Sequence, residues 1–274
     1  MPIWSNNPVL EREIRGRLRF KRRGGPQLLW IARLLGLVVV YYYARGLLGV
    51  WHGTSQDARD FWPFLTYGTL ALCVLLAPAL SATAITQERE QQTWEILATT
   101  RLSGAEVLLG KWLGRQFIPW LLLVIVLPFM AVCAARAGLG WGMLPSVLGF
   151  FLVTIACYSA LGLLCSFHAK RTMTATATSL TFAALLCLGT IVINLVVDLL
   201  LTPGQGGTEW PVLWINPFYV LGPLMHSLAP DLLGGDSNAD PTAPFWYFLL
   251  SLGATAGALA FMVRRYHRSV RERS

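Results

Sequence analysis

Charge is what this chain has least of. Only 13% of its residues are Asp, Glu, Lys or Arg, while 55% are hydrophobic; a soluble domain carries about a quarter charged. Acid is the scarcer sign, with 14 Asp and Glu against 22 Lys and Arg and a net charge of +8. Cysteine is sparse and unpatterned. Cys73, Cys133, Cys157, Cys165 and Cys187 fall inside apolar runs, an odd number without a CxxC pair, so neither a disulfide framework nor a zinc site is expected. The four histidines, His52, His168, His226 and His267, stand far apart and form no HExxH, and there is no GxSxG. Without clustered acids, bases or metal ligands, a membrane enzyme is disfavoured, and neither catalytic nor metal residues are expected.

What the chain has instead is long apolar blocks. A hydrocarbon core of about 30 Å takes roughly 20 apolar residues of helix. Six blocks reach that length: 28–50, 61–85, 117–135, 143–167, 175–201 and 245–263. They are continuous rather than alternating, which selects helices over barrel strands. The first is too long and begins too far into the chain for a signal peptide, and no small-residue cleavage site follows it. The expected fold is an all-α integral membrane protein of six transmembrane helices.

Basic residues set its orientation. Arg12, Arg15, Arg17, Arg19, Lys21, Arg22 and Arg23 precede the first block, and Arg264, Arg265, Arg268, Arg271 and Arg273 follow the last. Arg89, Arg101, Lys111 and Arg115 lie between blocks two and three, and Lys170 and Arg171 between four and five. The other side has only Arg59 and Arg136 beside Asp57, Asp60, Glu209, Asp231, Asp236 and Asp240. The positive-inside rule places both termini and the 87–116 connection in the cytoplasm; a bacterial inner membrane is the expected location. The excess charge lies where topology and anionic lipid headgroups require it, so no nucleic-acid partner is expected.

The chain then divides into residues 1–27, a cytoplasmic amphipathic segment; 28–263, the transmembrane domain; and 264–274, a basic tail. Within 7–23, Leu10, Ile14 and Leu18 share a helical face while Arg12, Arg15 and Arg19 lie off it, as in a helix along a membrane surface. Asn7 can cap it, and Gly24, Gly25 and Pro26 end it. Residues 202–243 form an external loop. Its 210–228 stretch is apolar enough to cross, but Pro211, Pro217 and Pro223 each remove a helix hydrogen bond. A seventh crossing would also carry the arginine-rich tail outside. A re-entrant or interfacial element is expected there, with Trp210, Trp214, Phe218 and Tyr219 at headgroup level.

Few charges fall inside the blocks. Arg33, Arg45 and Asp198 lie near block ends, where snorkelling accounts for them, or Arg45 and Asp198 pair across helices. So few buried charges, and no filter motif, disfavour an ion-coupled transporter or a channel. Small residues cluster in block five (Ala175, Ala177, Ser179, Ala183, Ala184, Gly189) and block six (Gly253, Ala254, Ala256, Gly257, Ala258), which suits close helix contact within the bundle or at a dimer seam. The run 104–111, GAEVLLGK, is no phosphate loop: five residues separate its glycines, and Trp112 stands where Ser or Thr must bind magnesium.

The 87–111 connection is the chain's most distinctive segment. No glycine or proline stops block two, so its helix is expected to run on through 87–92. Trp94, Leu97 and Ala98 share a face, Leu102-Ser103 reads as a turn, and Ser103 with Glu106 forms a capping box for a helix returning over 105–113. Two helices about a capped turn make a rigid knob that can carry force.

Glu88-Arg89-Glu90, Thr93-Trp94-Glu95-Ile96-Leu97, Leu102-Ser103 and Glu106-Val107-Leu108-Leu109-Gly110-Lys111 together resemble the signature of type-2 ATP-binding-cassette (ABC-2) permeases. The amphipathic N-terminal segment and the six-span layout are similar too. Departures are Trp94 for the usual leucine and Arg101 where proline is common. The resemblance implies a permease subunit working as a dimer with a second copy or a paralogue. Beneath it an ABC ATPase dimer would hold ATP and magnesium; this chain would bind no cofactor itself. It also implies that Glu88, Glu90, Thr93, Trp94, Glu95, Leu97, Leu102 and Ser103 form the ATPase-coupling interface, that Gly110 and Lys111 end the knob, and that Leu10, Arg12, Ile14, Arg15 and Leu18 lie against lipid and ATPase. Export is the expected direction, with apolar spans leaning towards a lipophilic substrate. The alternative is a permease-like subunit that passes ATPase force to a membrane or periplasmic partner without moving a solute.

Overall fold

The computed structural model describes residues 40–41, 43–46, 48–92, 104–201, 211–230 and 241–271. Among them there is helix and no strand. The helices are α1 (Ser55–Ser81), α2 (Thr86–Glu90), α3 (Gly104–Ala137), α4 (Met143–His168), α5 (Thr172–Ala184), α6 (Thr190–Leu201), α7 (Pro217–Leu228) and α8 (Ala243–Arg271). A π-helical turn, Leu185–Gly189, joins α5 to α6, and a 3-10 turn, Pro211–Ile215, precedes α7. Helical backbone also occupies 40–41, 43–46 and 48–52. The rest of the first expected span and the interfacial helix with Leu10, Arg12, Ile14, Arg15 and Leu18 lie outside the described residues.

Among the described residues, five helical stretches are long and apolar enough to cross a membrane: Ser55–Glu90, Gly104–Ala137, Met143–His168, Thr172–Val197 and Ala243–Arg265. They match expected blocks two to six. Burial ranks them: 56% of the apolar window is buried in Ser55–Glu90 and in Met143–His168, but only 17% in Thr172–Val197. α1 and α4 are therefore the central pair. Trp62, Leu65, Leu70, Phe151 and Ile155 form the core between them and α3.

Alternating chain direction gives the bundle two ends. At one, Thr54 and Asp57 form a capping box for α1. Beside it, Arg59 donates to the Ala137 carbonyl (3.0 Å) and Arg136 to that of Gly53 (2.8 Å). The only two basic residues expected on that side thus satisfy carbonyls at a helix end and a turn, which have no helical donor. The opposite end carries α2 and the start of α3.

Three expectations are corrected. The helix of block two does not run unbroken into 87–92: α1 stops at Ser81, residues 82–85 turn, and helix resumes at Thr86. The returning elbow helix and the third span are one element, α3, which carries Pro119 and Pro128 within it. Block five is interrupted by the π turn.

The 210–228 stretch folds despite its prolines. Asn216 caps α7 by accepting from Phe218 N (2.9 Å), and Pro217 occupies the first helical position, where no N–H is needed. Val220, Leu221 and Met225 are buried against the bundle.

Small residues set the closest approach. A Cβ on Gly162 would lie 2.4 Å from the Pro78 carbonyl oxygen and 2.8 Å from its Cα, so α4 reaches the backbone of α1 only because residue 162 is glycine. Ala175, Ser179 and Ala183, at four-residue spacing, turn α5 inward, and the Ser179 hydroxyl lies 3.5 Å from the same Pro78 oxygen. Gly162→Ala must separate α1 from α4. Overpacking of this kind costs about 1–3 kcal/mol, so a lower midpoint is expected when the detergent-solubilised protein is melted; an unchanged midpoint would show that the crossing is loose.

Candidate functional site

The site is built where α1 breaks. Pro78 has no N–H to give and weakens the last turns of α1. Beyond it, Ala84 N bonds the Ser81 carbonyl at 3.0 Å, a tightened turn that frees backbone groups nearby. In an apolar interior these must find partners. α4 brings Ser166, whose buried hydroxyl accepts from both Ile85 N (3.0 Å) and Thr86 N (3.1 Å). α3 brings two cations four residues apart, hence on one face. Arg115 donates to Thr83 Oγ1 (2.7 Å) and the Leu80 carbonyl (3.4 Å), and Lys111 to the Ala84 carbonyl (3.3 Å).

Lys111 is 0% exposed, and its ammonium forms an ion pair with Glu88 at 2.5 Å. A cation out of water needs such a counter-charge. Around it Ile85, Leu108, Leu163 and Met262 form a separate apolar cluster that excludes solvent.

The short α2 lies across the α4–α5 connection. Glu90 Oε1 accepts from Thr172 N at 2.6 Å. The residue preceding α5, Arg171, makes no side-chain cap, so Glu90 supplies one from another segment, its carboxylate favoured by the helix dipole. Arg89 donates to the Ala169 carbonyl (3.0 Å) and lies over the Phe167 ring, 5.9 Å from its centroid. His168 joins the same end to α8: Nε2 takes a hydrogen bond from Arg265 (3.0 Å), which leaves the proton on Nδ1 for the Leu164 carbonyl (3.0 Å). Gln92, with φ 56°, ends the helical stretch in the left-handed conformation common after helix ends.

Of the residues expected at the site, the structure therefore brings together Glu88, Glu90 and Lys111, with Gly110 buried beside them. Thr93, Trp94, Glu95, Leu97, Leu102 and Ser103 lie outside the described residues. Arg45 is exposed on an open groove of about 570 Å³ with Tyr41, Gly46, Phe61 and Phe64. The Asp198 side chain lies outside the described part. Sequence reasoning missed Ser166, Thr172 and Arg115 as members of the joint. The four-residue spacing of Lys111 and Arg115 was a usable signal for the last; Ser166 offered none.

Among the described residues the arrangement consists of hydrogen bonds, an ion pair and packing. It joins α1, α3, α4 and α5 at one end through charge-assisted hydrogen bonds to backbone. The family described as ABC-2 family transporter protein matches residues 25–269. A comparison with curated proteins gives no match.

Removing one partner of a buried ion pair costs about 3–5 kcal/mol, more than replacing both. Lys111→Met is expected to lower the unfolding midpoint strongly, and Lys111→Met with Glu88→Gln to recover part of that loss. A double variant as unstable as the sum of the singles would mean that the two side chains act independently.

Proposed function

The chain belongs to the ABC-2 family of transporter proteins, which makes it an integral membrane permease subunit partnered by an ABC ATPase, and from that premise we propose that the broken end of α1 is the joint through which ATP hydrolysis moves the spans. The carrying observation is the pair of contacts made by α2: Glu88 to Lys111 at the start of α3, and Glu90 to the first amide of α5. A load on the elbow passes along both to two different spans.

On this reading the elbow has two parts. Thr93, Trp94, Glu95, Leu97, Leu102 and Ser103 meet the ATPase. Glu88, Glu90, Gly110 and Lys111 form the base that hands the load on. ATP and magnesium stay with the ATPase dimer, and none of these residues is catalytic. Closure of the ATPases tilts α3 and α5 relative to α1, opening a path for export in a dimer with a second copy or a paralogue. The amphipathic N-terminal helix and a first span complete six spans, with both ends in the cytoplasm of a bacterial inner membrane.

Glu90 is the test position, because its contact is at the surface and its loss spares the buried pair. Glu90→Gln keeps size but gives up the charge in the bond to Thr172 N, and a loss of roughly tenfold in a coupled rate is the expected scale. In the complex with its ATPase in phospholipid vesicles, the variant is expected to retain the ATPase and lose roughly that factor in permease-dependent ATP turnover. Wild-type turnover with normal assembly would remove Glu90 from the coupling route.

A further inference from the structure

The fifth span is broken at mid-depth, and one side chain from another segment occupies the break. A π turn adds a residue to the α-helix and loosens the ladder of carbonyls on its inner side. Here the turn is Leu185–Gly189. Thr190 Oγ1 turns back to the carbonyls of Leu186 (2.8 Å) and Cys187 (3.2 Å). Asn216 Nδ2 donates to the same Cys187 carbonyl at 2.8 Å and to Thr190 Oγ1 at 3.1 Å. Its other amide atom, Oδ1, caps α7 through Phe218 N. One amide thus holds both the π turn and the N-terminus of α7, and Asn216 is 0% exposed.

Depth gives the contact its meaning. At about 1.5 Å per residue, Cys187 lies roughly 20 Å along the helix from Thr172. Asn216 and the 3-10 turn before it therefore sit well inside the bundle, where irregular backbone is tolerated only if protein covers it. The knot reaches the central helix as well, with Tyr158 Oη 3.3 Å from Cys187 Sγ.

We propose that Asn216 is a positioning residue for the transport cycle: its amide makes the π turn a hinge that carries α7 with it when the fifth span bends. An α-helix interrupted by a π turn bends there at least cost. A buried amide whose donor must find an acceptor prevents α7 from staying behind. The inference rests on the permease reading above, in which α5 receives the load at its far end.

Cys187 is the natural reporter. With Cys73, Cys133, Cys157 and Cys165 replaced by Ala, the complex with its ATPase in phospholipid vesicles is treated with N-ethylmaleimide, with and without a non-hydrolysable ATP analogue. In the Asn216-containing protein, nucleotide is expected to change the Cys187 alkylation rate. Asn216→Ser, which keeps a cap but shortens the donor, is expected to raise the resting rate about tenfold and abolish the nucleotide response. Thr190→Val should act in the same direction without touching the cap. A nucleotide response that is absent in the Asn216 protein, or intact in both variants, overturns the proposal. So does failure of both variants to assemble with the ATPase, which would make the amide a structural clamp only. If Glu90→Gln still uncouples ATP turnover while Cys187 ignores nucleotide, this inference alone falls. If no permease-dependent turnover exists at all, the coupling reading falls and this one with it.

Discussion

The structure depends on the satisfaction of a few backbone groups at residues 80–86, where α1 ends in a largely apolar environment. A continuous helix would have satisfied them internally. The break transfers that task to Ser166, Lys111 and Arg115, so three spans must converge on one point. The short α2, the buried ammonium and the closeness of α4 all follow from that requirement. Gly162 belongs to it too, since α4 can lie against Pro78 only where a side chain is missing.

The span formed by α5 and α6 receives contacts of the same kind at two places. At its start Glu90 caps it from across the elbow; at mid-depth Asn216 grips its π turn. It is also the least buried of the five spans, so these few polar contacts, together with the Ala175–Ser179–Ala183 face, weigh heavily in its placement. A peripheral helix held by polar contacts to backbone shifts more readily than a central one held by a packed core, because fewer apolar contacts must be remade. The central α1–α4 pair supplies the fixed frame.

How much of this was legible in the sequence varies with the kind of signal. The five described spans were readable from length and apolarity, because a bilayer allows few alternatives to a long apolar helix. Asn216-Pro217 carried a cap and first-turn signature, and the prolines of 210–228 set it apart from the uninterrupted apolar blocks. The elbow was visible as a charged interval, and its family pattern brought out Glu88, Glu90 and Lys111. What these residues touch was not visible. Glu88 meets Lys111, and Glu90 meets an amide 82 residues away, so both acids bind the protein's own spans. The break after Ser81 escaped notice because Pro78 lies inside α1 and the helix ends several residues later. The π turn has no composition that separates it from its neighbours.

The central claim is that the base of the elbow and the start of the fifth span move together under load. It is tested most directly by paired spin labels at Gln91 and Met173, both exposed, with a third at the exposed Trp141 at the opposite end of the bundle. In the complex with its ATPase, the Gln91–Met173 distance should stay constant between nucleotide-free and ATP-bound states, while the distance from each to Trp141 changes. A Gln91–Met173 distance that shifts with nucleotide, while Met173–Trp141 does not, would show that the elbow moves without the span and contradict the account.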